Sequence, residues 1–208
     1  MKLSKITISA LAAFGLAMTT QTPAATLYVD QHYGPGGNGS SNAPYNTIQA
    51  AINDANSTVI IVHPGTYAES LSVGKSLSIL GYNGPLTTLV NAAGGSNVVS
   101  LAQGLTVTVQ GLTLSSGALG VYQPTAGSLY LKNCILCGNR SHGVSIDRTT
   151  ASACPSVYIY NCVVVNNGGS GVYTGCLYNG SDNVPNLAMY NTFLANNTRY
   201  GVEISLTS

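Results

Sequence analysis

The sequence contains very little charge. Only 6% of its 208 residues are charged, with 7 Lys and Arg against 6 Asp and Glu, whereas soluble domains average about 25%. The few basic residues form no stripe or cluster, which argues against nucleic acid as a partner because phosphate binding needs a basic surface. The scarcity of acidic residues also leaves few candidates for catalytic carboxylates.

Tryptophan is absent as well, and cysteine occurs five times. No CxxC pair is matched to a second such pair or to clustered histidines, and the one short pair, Cys134 and Cys137, lies in a strand-like pattern. We therefore expect no zinc or other metal site and no cofactor. A calcium site has no support from the sequence either.

The first 25 residues have the three parts of a secretory signal. Lys2 and Lys5 precede an apolar run over residues 6–18, and small residues follow at positions 22–25. The competing interpretation is an uncleaved anchor, but the run is short for a bilayer span and no second one follows. We expect a secreted or periplasmic protein with no membrane span after cleavage, and one domain over residues 26–208.

What the chain has in quantity is a repeat. Three segments, 128–147, 156–175 and 186–205, share one template: an alternating strand, an asparagine, a short apolar strand, a polar turn, a glycine and a third strand. Their corner residues lie 28 and 30 residues apart: Asn133, Asn161 and Asn191. The later glycines keep the same spacing: Gly143, Gly171 and Gly201. Because the asparagines and the glycines recur with the same two spacings, the segments are structural repeats.

Two further copies place Gly111 and Gly81 at the corner. Short β-rich units of this period predict a solenoid, and the lack of a helical period selects a β-helix. Asn and Gly both tolerate the left-handed backbone of a tight bend, which explains why they alternate at the corner. We predict an all-β fold: a single-stranded right-handed parallel β-helix of about five coils.

Alternation along the first strand of each copy sorts its side chains. Leu129 and Leu131 are expected inside, and Tyr130, like Tyr158 and Tyr160 of the next copy, outside. The same count stacks two cysteines in the interior as buried thiols: Cys134 and Cys162. The remaining pair, Cys154 and Cys176, falls in variable loops around the third strand. It is the better candidate for a disulfide.

A helical pattern precedes the first coil. Residues 46–56 place Ile48, Ala51 and Ile52 at helical spacing, and Asn46 with Gln49 forms a capping-box arrangement. An apolar helix face needs a surface to cover, and the first coil of a solenoid offers one. The sequence therefore predicts an N-terminal capping helix over residues 46–56.

The opening of the β-rich region resembles a known family. The segment from Thr47 to Gly81, TIQAAINDANSTVIIVHPGTYAESLSVGKSLSILG, is similar to the opening of pectin methylesterases. The later coils resemble the generic β-helix repeats of the pectin lyase-like superfamily, so the likeness covers nearly all of residues 26–208. The catalytic motifs of pectin methylesterases, polygalacturonases and pectate lyases are absent, and none of their catalytic residues transfers to this chain.

The resemblance implies that sugars lie along the outer face of the sheet built from third strands. Six residues are candidates for contact with a polysaccharide there: Arg140, His142, Ser145, Tyr173, Arg199 and Tyr200. Asp147 and Glu203 form the only acidic pair on this face, separated by roughly 10 Å if they lie two coils apart. A lyase would use Arg148 or Arg140 as its base, and Arg148 joins the two acids as a catalytic candidate. These three are weak catalytic candidates, because charged residues in turns are usually only solvated.

The last repeat ends without a capping helix or a charged closing strand, so we expect either a truncated member of its family or self-association through this coil. Three functions remain open. The favoured one is an exported protein that binds extracellular or cell-wall polysaccharide without catalysis. The others are a polysaccharide lyase or glycoside hydrolase, and a structural or adhesive solenoid.

Overall fold

The computed structural model describes residues 25–92, 95–124, 126–147, 155–177 and 185–207. The predicted signal peptide lies outside this part of the chain, apart from Ala25. Arg148 and Cys154 also fall outside it, and the side chain of Cys176 is not described. The signal, the role of Arg148 and the disulfide therefore stay predictions.

Within the described residues, nineteen short strands form three parallel sheets, and each coil contributes one strand to each sheet. The first sheet contains β1 (Ala25–Val29), β2 (Ser57–Val62), β5 (Leu77–Gly81), β8 (Leu105–Gln110), β11 (Gly127–Lys132), β14 (Pro155–Tyr160) and β17 (Asn186–Tyr190). The second contains β3 (Gly65–Tyr67), β6 (Thr88–Asn91), β9 (Thr113–Ser115), β12 (Ile135–Cys137), β15 (Val163–Val165) and β18 (Phe193–Ala195). The third contains β4 (Leu71–Val73), β7 (Val99–Leu101), β10 (Val121–Gln123), β13 (Val144–Asp147), β16 (Val172–Leu177) and β19 (Val202–Thr207).

This topology confirms the right-handed parallel β-helix. β1 pairs with the next strand, β2. From β2 onward, no described strand pairs with the strand that follows it, and each pairs with the strand three positions along the chain, as a single-stranded solenoid requires. The strands of the described residues make six coils, one more than the five copies found in the sequence. The additional coil runs from β2 to β4, and it lacks the Asn or Gly corner that identified the others.

The core fills the inside of the solenoid. Leu129 of β11 is in register with Val107 and Val157 of the adjacent coils, and all three are fully buried. Their neighbours along each strand point outward, as the alternation predicts. Cys134 and Cys162 are both buried free thiols, as expected.

The corner between first and second strands has the left-handed backbone expected of it. Asn133, Asn161 and Asn191 have φ of 50°, 53° and 46°, and Gly111 has 68°. Gly81 differs, because it lies in β5 and its φ is not left-handed. Glycine is needed there for a different reason: a Cβ atom would lie 2.1 Å from the carbonyl oxygen of Gly111 in the next coil.

A second corner, between second and third strands, contains a buried ladder of asparagines. The Asn167 side-chain oxygen accepts from the backbone N–H and the side-chain amide of Asn139, at 3.1 and 3.0 Å. Its amide nitrogen donates to the Leu136 carbonyl at 3.2 Å and to the Asn197 side-chain oxygen at 2.9 Å. Asn139 and Asn167 are almost completely buried. The first corner is exposed by comparison, and there Asn191 donates to Asn161 at 2.8 Å.

The capping helix is present but shorter than predicted. It spans Ile48–Asn53, and its N-cap is Thr47 rather than Asn46, with the Thr47 hydroxyl accepting from the N–H of Ala50. The carboxylate of Glu69 accepts from the N–H groups of Ile48 and Gln49 at 2.8 and 2.9 Å, so a neighbouring loop completes the cap. In the part of the chain described, no helix is both long and apolar enough to cross a membrane.

The last coil leaves several large side chains exposed. Phe193, Tyr200 and Ile204 are 62%, 57% and 65% exposed. Inward-facing Leu194 and Val202 are only partly buried, although they pack against the core. Self-association through this coil stays a prediction.

Candidate functional site

The outer face of the third sheet carries most of the predicted site residues. Ser145 of β13, Tyr173 of β16 and Glu203 of β19 are in register on successive coils. Tyr122 of β10 continues the same row. Ser145 is only 5% exposed, so it offers little surface to a ligand. The row therefore presents mainly two tyrosines and one carboxylate.

Both carboxylate oxygens of Glu203 already have partners. One accepts from the Ser170 hydroxyl at 2.5 Å, and the other lies 3.1 Å from Nη2 of Arg199. The Glu203 side chain is 14% exposed. Because both oxygens are already engaged, one with a hydroxyl and one with a guanidinium, this arrangement suits a positioning role.

Asp147 lies farther from Glu203 than two coils alone would place it. Asp147 is in register with Gly175 and, through it, with Ser205. Two coils plus two residues along the strand separate the Cα atoms of the two acids by about 12 Å at ordinary strand spacings. An inverting glycosidase places its two carboxyl groups about 6.5–9.5 Å apart and a retaining one about 5 Å apart. This Cα separation exceeds both spacings, so the two carboxyl groups would have to extend toward each other to act as a glycosidase pair.

His142 packs against the tyrosine row. Its ring stacks on that of Tyr173 at a centroid distance of 4.6 Å and an angle of 19°. Nδ1 accepts from the backbone N–H of Ser170 at 3.0 Å, which places the proton of the neutral ring on Nε2. Burial, together with the nearby Arg199, lowers the pKa of His142 against an opposing effect of Glu203. The imidazole is therefore neutral at pH 7.

These contacts join five residues, which we call the third-sheet cluster: His142, Ser170, Tyr173, Arg199 and Glu203. Tyr200 lies beside it, with the Arg199 guanidinium 5.9 Å from its ring centroid. The residues Arg199, Tyr200, Glu203, Ile204 and Ser205 line a shallow depression at this end of the sheet.

The structure does not bring every predicted residue into this cluster. Arg140 donates instead to the Gly95 carbonyl at 2.9 Å. Two contributors were missed in the sequence, Ser170 and Tyr122. Ser170 directly precedes the repeating glycine Gly171, and Tyr122 occupies the outward third-strand position of the copy that has Gly111 at its corner. The alignment of the repeats could therefore have predicted both residues. Burial and Asp147 raise the pKa of Tyr122, which locates Asp147 near that ring.

No grouping of three or more metal-ligating side chains occurs within the described residues. The buried sulfurs of Cys134 and Cys162 contact one coil apart: the backbone N–H of Cys134 donates to Sγ of Cys162 at 3.4 Å. The hydrogen bond between the two thiols and burial raise the pKa of Cys134. These sulfurs belong to the core and are remote from the outer faces.

Known structures share the fold. A pectin methylesterase from Aspergillus niger is similar to this chain with 13% sequence identity and a TM-score of 0.51, covering 89% of this chain and 86% of the enzyme. A second structure of that enzyme, in deglycosylated form, has the same identity and a TM-score of 0.47, covering 89% and 90%. No protein-family model and no curated protein matches the chain. The first likeness shows that this chain shares the parallel β-helix fold of that enzyme, and at that identity it shows the fold alone.

Proposed function

We propose that this β-helix protein is exported and binds extracellular or cell-wall polysaccharide along the outer face of its third sheet, without catalysis. The observation that carries the proposal is the third-sheet cluster, where a stacked His142–Tyr173 pair lies beside Arg199 and Glu203. Aromatic rings pack against the apolar faces of sugars, and the polar groups around them hydrogen-bond sugar hydroxyls.

The cluster suits binding because its side chains are held in place before a ligand arrives. Ser170 fixes both His142, through its backbone N–H, and Glu203, through its hydroxyl. Glu203 in turn holds Arg199. A preorganised surface loses less conformational entropy when a ligand binds, which favours affinity.

The same contacts support binding without catalysis. Glu203 has both oxygens occupied, and its Cα lies about 12 Å from that of Asp147 at ordinary strand spacings. A general acid and base pair needs a closer and freer arrangement. One solved structure of the same fold is a pectin methylesterase, which makes pectin the first polysaccharide to test.

The test is a binding assay on pectin and a panel of neutral and acidic polysaccharides. We expect Tyr173→Ala to weaken binding by about tenfold, since truncating a central aromatic commonly costs 1–2 kcal/mol. Tyr33→Ala is the matched control, because Tyr33 is exposed and lies in the N-terminal loop. Equal binding by the two variants would contradict the assigned surface. New reducing or unsaturated ends after incubation would contradict the absence of catalysis.

A further inference from the structure

The outer face of the first sheet carries a second array of aromatic residues, on the last three coils. Tyr130 stacks on Tyr158 at a centroid distance of 4.8 Å and 9°. Tyr160 stacks on Tyr190 at 5.3 Å and 7°. Tyr158 and Tyr160 are nearly parallel at 6.5 Å and join the two stacks. We call these four residues the tyrosine platform.

The platform follows directly from strand register. Tyr130 pairs with Tyr158, and Tyr160 pairs with Tyr190, across neighbouring strands of the first sheet. Residues two apart on one strand face the same side, so Tyr158 and Tyr160 lie next to each other. Rings in these two stacks cover each other's faces, and the surface therefore presents ring edges and phenol oxygens in a regular lattice.

Stacking alone does not account for tyrosine at all four positions. Each ring pair contributes about 0.5–1.5 kcal/mol beyond the area it buries, and phenylalanine would supply the same contact without a hydroxyl. One of the hydroxyls takes part in a polar contact: the Asn186 side-chain amide donates to the Tyr158 oxygen at 3.2 Å. The surface thus combines an aromatic body with a layer of hydrogen-bonding groups.

The residues around the platform are polar and almost uncharged. Outward positions on β8, β11, β14 and β17 hold Thr, Ser, Gln, Asn and Tyr, one Ala and one charged residue, Lys132. The Lys132 ammonium lies 5.6 Å from the Tyr130 ring centroid. Among the described residues, no carboxylate is within ion-pair distance of it. The face therefore offers one positive charge beside the aromatic lattice and no branched aliphatic side chain.

We propose that the tyrosine platform is a second glycan-binding surface, specific for an extended polysaccharide that bears carboxylates, a polyuronate. The polymer lies along the solenoid axis, where the tyrosines repeat from coil to coil. Its hydroxyls bond the phenol oxygens, and a uronate carboxylate accepts a charge-assisted hydrogen bond from Lys132. The platform extends the proposed function to a separate face and shares with it only the class of ligand.

The lack of aliphatic side chains favours a glycan over a protein partner. Protein interfaces place a dry apolar centre inside a polar rim, whereas the outward positions of β8, β11, β14 and β17 carry hydroxyl, amide and phenol groups, apart from Ala188 and Lys132. A polysaccharide matches such a surface because it presents hydroxyls along its whole length. The single cation selects an acidic polymer through charge complementarity.

The test measures the affinity of the full chain for polygalacturonate and alginate, with an uncharged glucan as the comparison ligand. Lys132→Gln is expected to lower polyuronate affinity about tenfold, roughly the effect of one charge-assisted contact, and to leave glucan binding unchanged. The double variant Tyr158→Phe/Tyr160→Phe keeps both stacks, and we expect it to lower polyuronate affinity while the thermal midpoint stays unchanged. Tyr33→Phe is the matched control.

A third variant, Tyr173→Ala, separates the two surfaces. Because the two surfaces lie on separate faces, each single variant should weaken binding at one site only, and the variant that combines Tyr173→Ala with Lys132→Gln should weaken binding at both. Loss of polyuronate binding in Tyr173→Ala but not in Lys132→Gln or the double Phe variant would overturn the platform and leave the proposed function standing. The reverse pattern supports the platform and contradicts the third-sheet site. A chain that binds neither polyuronate overturns the platform.

Discussion

Replacing Asn167 by alanine should be among the most damaging single changes outside the apolar core. The side chain makes four hydrogen bonds inside the solenoid, two as acceptor and two as donor. Alanine would leave the buried N–H of Asn139 without its acceptor, at a cost of about 1–3 kcal/mol, and would remove three further bonds worth about 0.5–1.5 kcal/mol each. We expect a loss of about 3–5 kcal/mol in the free energy of unfolding, a large share of a typical domain's stability.

The matched control is Asn161→Ala at the exposed first corner. Asn161 has a left-handed φ of 53°, so alanine there costs about 1–2 kcal/mol of backbone strain, and its one side-chain bond to Asn191 is exposed. Asn161→Gly should be close to neutral, because glycine adopts that backbone without strain. The two corners thus need asparagine for different reasons. The buried second corner needs its hydrogen bonds, and the exposed first corner needs a residue that tolerates a left-handed backbone.

Urea unfolding followed by far-ultraviolet circular dichroism measures all three variants on the same scale. Equal slopes of free energy against urea are required before midpoints are compared. If Asn167→Ala cost no more than Asn161→Ala, the buried ladder would not be a major source of stability, and the reasoning from unsatisfied buried groups would be refuted.

Three further outcomes are expected. Gly81→Ala should lower the thermal midpoint, because its Cβ would overlap a backbone carbonyl, whereas Gly74→Ala has open space and should be neutral; an equal effect would be inconsistent with close packing of the coils. Burial, with a smaller effect of Arg199, lowers the pKa of His142 from its ordinary value of 6.5. Just below that pH the folded chain therefore binds fewer protons than the unfolded chain, and its stability falls as the pH drops through this window. In thermal melts from about pH 7.5 to 5, the thermal midpoint of His142→Gln should therefore fall less than that of the unsubstituted protein. Cys134 and Cys162 should resist a thiol reagent until the chain unfolds, and rapid native labelling counted by mass spectrometry would argue against their burial.

The repeat made the architecture predictable, because solenoid coils share a template and the template is local. A corner residue such as Asn133 can be recognised in the sequence because its preference for a left-handed backbone is local and does not depend on its neighbours in space. The first coil was missed for the same reason: it has no Asn or Gly corner, and only pairing with β5 reveals it. The capping helix was found by its period, but its first residue was misplaced because Glu69, 21 residues away from Ile48, completes the cap.

The candidate site was predictable in part. Alternation placed Ser145, Tyr173 and Glu203 on one outer row, since strand register carries that information. Which side chains contact each other did not follow from register. Glu203 bonds Ser170 on the preceding coil, and side-chain contacts of this kind depend on rotamers that only packing selects.

By itself, the sequence determined the kind of fold, the inward and outward faces of its strands and the left-handed corner at Asn161. Each of these depends on local backbone preference or on the two-residue period of a strand, and both can be read from residues that are neighbours in the sequence. The tertiary structure alone decided the buried ladder through Asn167, the engaged state of Glu203 and the stacking of Tyr158 with its neighbours. Those features join residues about 30 positions apart, and their geometry exists only once successive coils are stacked at the spacing of hydrogen-bonded strands.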